Sequence, residues 1–261
     1  MKPLRTTVLA LLTASAFVAS FALSGCGFTY HGNLPGSAEE SRATRSSESP
    51  SSTAVSDIAT DYPEGKDIPV LMLGRSVMGG WFAHWGWDWE SQVSREGYAL
   101  DRGELSPPPE IADVACEYIA EAPAGAIVFF KFCFEDFWGE GGEASRQQLE
   151  DMKVWVMQVA DCARDHGMPI VIGNALPKVA QYTDSPLVEQ HEAFNEWLEE
   201  FASGRTEVYV VDQYSVLAGP DGALRPEFAL SEDDSHLNET AYEALDPVLF
   251  ATLDEAAADW R

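Results

Sequence analysis

The chain has 261 residues, 43 acidic against 16 basic, for a formal charge of −27. Such an excess excludes a nucleic-acid partner, because phosphate binding needs clustered Lys and Arg, and it disfavours the folded part lying on an anionic membrane surface. Apolar content of 46% is ordinary for a globular protein, so solubility accounts for the charge.

In chain order, Lys2 and Arg5 open a positive start, followed by an apolar run that ends Leu23-Ser24-Gly25-Cys26. The pattern predicts a secretory leader over 1–25. Its end resembles a bacterial lipobox, which implies that Cys26 carries lipid and anchors the protein outside the cytoplasmic membrane. Eight serines fall between positions 37 and 56, with almost no aromatic residues. Such a stretch cannot bury enough apolar surface to offset its ordering entropy, so 26–62 reads as a disordered tether. The remainder, 63–261, suits one domain with a full core.

Short apolar runs predict strands at 69–73, 126–132, 169–173 and 207–211, with a weaker one at 97–100. Helical periodicity falls over 109–121, 143–166 and 186–202. Gly167 and Pro169 stop the second, and Ser185 and Pro186 start the third. A last helix starts at Asn238, with Pro247 expected to kink or restart it. Strands alternating with helices predict a three-layer α/β/α sandwich on a parallel sheet. Sites in such sheets form at the carboxyl ends of strands. Ser76, the Cys133–Asp136 segment and Asn174 follow such ends, and His236 precedes the last helix. Cys116, Cys133 and Cys162 are an odd number, so no disulfide framework is implied; three buried thiols are expected, with one bridge left open. Their spacing does not suggest zinc.

A serine hydroxyl needs a base to take its proton, usually a histidine held in one tautomer by a carboxylate. Ser76, His236 and Asp233 fit these roles, with Asp and His three residues apart. No G-x-S-x-G elbow surrounds Ser76, which argues against an α/β-hydrolase. Gly74-Arg75-Ser76-Val77 and Asp233-Asp234-Ser235-His236, followed by Leu237-Asn238, resemble the Gly-Asp-Ser-Leu and Asp-x-x-His blocks of the SGNH (GDSL-type) hydrolases. The resemblance covers most of 68–257. It implies a flavodoxin-like sheet, ester hydrolysis or acyl transfer, and no metal or organic cofactor. The family's third block is Gly-x-Asn-Asp, whose Asn donates to the oxyanion. Here Lys131-Phe132-Cys133-Phe134-Glu135-Asp136 stands instead. The oxyanion would then rest on the backbone amides of Ser76 and Gly103, with Lys131 or Asn174 as further candidates. Four of the eight tryptophans fall in 81–89. Trp87 and Trp89 are candidates for the wall of a substrate cleft, and His84 is a reserve base.

The expectation is therefore a monomeric serine esterase, lipid-anchored to the bacterial cell membrane on its outer side and touching it only through the anchor. Its substrate would be a small or glycan-borne acyl ester. The alternatives are a non-catalytic binding lipoprotein on the same scaffold, and an O-acyltransferase with the same triad.

Overall fold

The structure, a computed structural model, describes residues 66–87 and 92–259. The leader, Cys26, the tether and Trp89 lie outside the described residues.

Eight strands and six α-helices follow one another: β1 (Ile68–Gly74), α1 (Ser76–His84), β2 (Val93–Arg95), β3 (Tyr98–Glu104), α2 (Ile111–Glu121), β4 (Ile127–Lys131), α3 (Gly142–Asp165), β5 (Ile170–Gly173), α4 (Ser185–Ser203), β6 (Val208–Val211), α5 (Gln213–Leu217), β7 (Ala229–Ser231), β8 (Asp234–Leu237) and α6 (Glu239–Asp259). The main sheet has the order β2-β3-β1-β4-β5-β6, parallel except for the edge strand β2. The five parallel strands, numbered among themselves, run 2-1-3-4-5, which is the flavodoxin-like arrangement. The chain reverses its winding between β1 and β4, so a crevice is expected where these two strands end.

Alternation along the strands divides the core in two. Val70, Met72, Phe129 and Val171 face α1 and α6, packing on Trp81, Leu245 and Leu249. Leu71, Leu73, Phe130 and Ile172 face α2, α3 and α4, packing on Ile119, Val156 and Phe194. Both faces of the sheet are covered, which is why β1, β4, β5 and β6 read as unbroken apolar runs.

Three expectations change. Cys116 and Cys162 form a disulfide, and among the described residues Cys133 is the free, buried thiol. Helices α2 and α3 pack side by side and bring the two Cα atoms to 5.7 Å, within bridging range, although 46 residues separate them in sequence. The cap of α4 is Asp184, whose Oδ1 accepts from the Leu187 amide at 2.9 Å, and Ser185 is the first helical residue. Helix α6 runs uninterrupted through Pro247, held by buried Leu245 and Leu249 on either side. Asn238 does cap it, its Oδ1 accepting from the Ala241 amide at 3.1 Å.

Candidate active site

Ser76 is the first residue of α1, directly beyond the carboxyl end of β1. The first amides of a helix have no intrahelical acceptor, and the helix dipole adds partial positive charge there. The serine hydroxyl is therefore presented at a site suited to developing negative charge. Helix α1 is held by a close approach of α6. Tyr242 donates through Oη to the Val77 carbonyl at 3.0 Å, and a Cβ on Gly80 would lie 2.1 Å from that oxygen. Glycine at 80 is thus a condition for the contact.

His236 comes from outside the main sheet. β7 and β8 form an antiparallel hairpin around Glu232 and Asp233. Its buried side is pinned where Ser235 Oγ accepts from the Val179 amide at 3.0 Å. Asn238 Nδ2 donates to the Glu227 and Ala229 carbonyls at 2.9 and 3.0 Å. His236 then points its ring at Ser76, with Nε2 3.0 Å from Oγ.

The carboxylate on His236 is Asp234, not the expected Asp233. Asp234 Oδ1 lies 2.6 Å from His236 Nδ1 and also accepts from the His236 amide at 2.9 Å. The reason is the strand. Residues 234 and 236 of β8 share one face, as alternate strand residues must. Asp233 sits in the turn, where its Oδ1 accepts from Ser231 Oγ at 2.7 Å. In the tautomer that allows both ring contacts, Nδ1–H donates to Asp234 and Nε2 accepts from the Ser76 hydroxyl. The His236 amide, and then its ring, hold the Asp234 carboxyl below the usual carboxylate range. Phe134 stands edge-on to the His236 ring at 5.0 Å, so an aromatic ring of the segment after β4 packs against the histidine.

The sequence also singled out residues that serve other ends here. Asn174 donates through Nδ2 to Asp212 at 2.8 Å and accepts from the Tyr214 amide at 2.8 Å, joining β5 to α5. Gly103 lies opposite Leu73 in the sheet register, three residues before Ser76. A Cβ there would meet Leu73 Cδ2 at 2.5 Å and the Tyr118 ring at 3.1 Å, so close packing explains this glycine. Lys131 is fully buried between Gly74 and Gly173, and its Nζ has no hydrogen-bond partner among the described residues. Burial pulls its pKa down to about 8. Trp87 packs its ring on Phe82 at 5.6 Å, against the core. His84 is 3.6 Å from Asp246 and stacked on Tyr242, far in function from Ser76.

One contact was not foreseen. Arg75 Nη1 donates to Asp136 Oδ1 at 2.5 Å, while Asp136 Oδ2 accepts from the Cys133 amide at 2.7 Å. Burial raises the Asp136 pKa despite both bonds. The pair ties the nucleophile turn to the segment after β4. Its sequence signal is slight: opposite charges just past the ends of two strands that turn out to be neighbours.

No protein-family model matches the sequence, and no curated protein is significantly similar to it. Solved structures share the fold. A protein from Bacteroides fragilis assigned as an acylhydrolase matches with a TM-score of 0.55 at 17% identity, over 75% of this chain and 90% of its own. A member of the G-D-S-L lipolytic family from Veillonella parvula gives 0.53 at 14%, over 72% and 98%. A GDSL-like lipase from Bacteroides thetaiotaomicron gives 0.51 at 17%, over 73% and 87%. The described domain has the SGNH hydrolase fold.

Proposed function

We propose that this chain is a serine hydrolase of the SGNH (GDSL-type) family that cleaves O-acyl esters outside the cytoplasm, tethered through lipid on Cys26. The observation that carries the reading is the continuous relay from Ser76 Oγ through His236 to Asp234. Ser76 attacks the ester carbonyl as His236 Nε2 takes its proton. Asp234 keeps Nδ1 protonated and stabilises the imidazolium. The proton then passes to the leaving alkoxide, and water repeats the sequence on the acyl-enzyme. The oxyanion rests on the Ser76 amide at the start of α1, since the Met78 amide already donates to the Arg75 carbonyl. With Phe134 and Cys133 where the family places its third-block Asn, one donor is missing, and such a loss typically costs about 10²–10³ in rate. The enzyme is accordingly a slow esterase. The Cys116–Cys162 disulfide supports an oxidising compartment.

The missing donor also favours a second reading, a binding protein on this scaffold that no longer turns over. Hydrolysis of p-nitrophenyl acetate, with fluorophosphonate labelling confined to Ser76 and lost in Ser76→Ala, supports the enzyme. A folded protein that neither hydrolyses nor labels overturns it in favour of the binder.

A further inference from the structure

A cavity of about 600 Å³ is lined by residues that neighbour the site in two chain segments. Its wall includes Arg75, the residue before Ser76, and Glu135, the residue after Phe134, whose ring packs on His236. It lies at the reversal of winding between β1 and β4, where ligands bind in open α/β sheets. Trp138, Trp155 and the proline run 107–109 supply its apolar surface.

Trp138 is 59% exposed. A tryptophan with no task in solvent would be expected to bury its ring. Its loop is fixed nonetheless. The Trp138 amide donates to Gln148 Oε1 at 3.1 Å and the Gly139 amide to Gln190 Oε1 at 3.2 Å. Gln190 Nε2 donates to Gln148 Oε1 at 2.7 Å, and Gln148 Nε2 donates to the Asp136 carbonyl at 2.7 Å. Both glutamines are buried, and a satisfied buried polar network rigidifies what it holds. Gly139 adopts φ 65°, and a Cβ there would meet Leu187 Cβ at 2.5 Å, so the loop is seated on α4. A large flat ring is thus held in water on a rigid frame.

The polar lining is acidic. Arg75 is neutralised by Asp136, leaving the Glu135 and Asp151 carboxylates in excess, with Gln147 donating to Asp151 at 2.9 Å. Carboxylates accept from hydroxyl groups and repel anions. An alkyl chain would desolvate them without compensation. A sugar ring suits both halves of the lining, with C–H faces for an aromatic ring and hydroxyl donors around its rim.

We propose that this cavity binds the sugar ring of an uncharged O-acylated glycan, one face on Trp138 and the hydroxyls donating to Glu135 and Asp151. The proposal deepens the ester-hydrolase reading and, for its turnover measurement, rests on it. Two measurements on the intact chain test it. One is calorimetric titration with neutral oligosaccharides (cellopentaose, xylopentaose, N-acetylchitopentaose). The other is the ratio of kcat/KM for acetylated cello-oligosaccharide to that for p-nitrophenyl acetate. Trp138→Ala is expected to weaken the best oligosaccharide about tenfold or more and to lower the ratio alike, mainly through KM. Trp138→Phe should recover part of both. Leu230→Ala, on β7 and lining a separate cavity, should leave both unchanged. The proposal is overturned if no neutral oligosaccharide binds, or if Trp138→Ala with a native melting profile leaves binding and ratio unmoved. It is equally overturned if trigalacturonate binds as well as the neutral sugars, or if p-nitrophenyl octanoate is preferred to the acetylated sugar. Sugar binding that depends on Trp138 without turnover of any ester would sink the hydrolase reading and leave the glycan site standing.

Discussion

Exchanging each of the two neighbouring aspartates for asparagine separates the geometry of β8 from the family pattern. Asp234 makes two contacts with His236, at 2.6 Å to Nδ1 and 2.9 Å to the amide. An asparagine at 234 can offer its NH₂ to Nδ1, which favours the tautomer with the proton on Nε2, and that nitrogen can no longer accept from Ser76. For a buried triad aspartate this exchange lowers kcat by about 10⁴. Here the Asp234 and His236 side chains are 38% and 40% exposed, and water competes for the same contacts. The expected loss for Asp234→Asn is therefore about 10²–10³ in kcat/KM, roughly 3–4 kcal/mol of transition-state stabilisation. Asp233→Asn removes only the charge from the acceptor of Ser231 Oγ and should stay within about threefold of the parent. Initial rates on p-nitrophenyl acetate from about pH 5 to pH 9 give both values, and the low Asp234 pKa keeps its carboxylate charged throughout. Equal losses in the two variants, or a larger loss in Asp233→Asn, would refute the assignment.

Reducing the Cys116–Cys162 bond frees a loop spanning 46 residues, which the chain-entropy argument values at about 4 kcal/mol and typical measurements at about 2–4. Thermal melts with and without dithiothreitol should differ by several degrees, and coincident melts would count against the bridge. Lys131→Met should stabilise the fold near neutral pH, because a buried ammonium without a partner is replaced by an apolar chain. The folded pKa of about 8 lies below the ordinary lysine value of 10.5. The unfolded chain therefore binds the extra proton between these values, and the parent recovers stability as pH rises through that window. The advantage of the variant should shrink from about pH 8 to about pH 10.5 in urea titrations; a constant or reversed difference would contradict it.

The sheet was legible because β1, β4, β5 and β6 are covered on both faces and so read as short apolar runs. Ser76 and His236 followed from their places at a strand end and before the last helix. The rest was hidden for physical reasons. The β7–β8 hairpin has short strands with polar residues around a charged turn, so the alternation that selects Asp234 did not show. The disulfide depends on α2 packing against α3, which spacing does not encode. Tryptophan density drew attention to 81–89, where Trp81 and Trp87 serve the core, while the exposed tryptophan among the described residues is Trp138. Asn174 looked free to face a substrate because its partners Asp212 and Tyr214 are distant in sequence.

The hairpin sets a rule for how this chain can change. Asp234 and His236 look outward to Ser76, while Ser235 and Leu237 between and beside them are buried. A strand offers only two sides, so an inserted residue that slides β8 by one position against β7, instead of lengthening the Glu232-Asp233 turn, would exchange them. The histidine would turn into the core and the nucleophile would lose its partner, with every catalytic side chain still encoded. Insertions of two residues would restore the facing. Shifts of β8 against β7 should therefore come in even steps wherever the contact between His236 and Ser76 is kept.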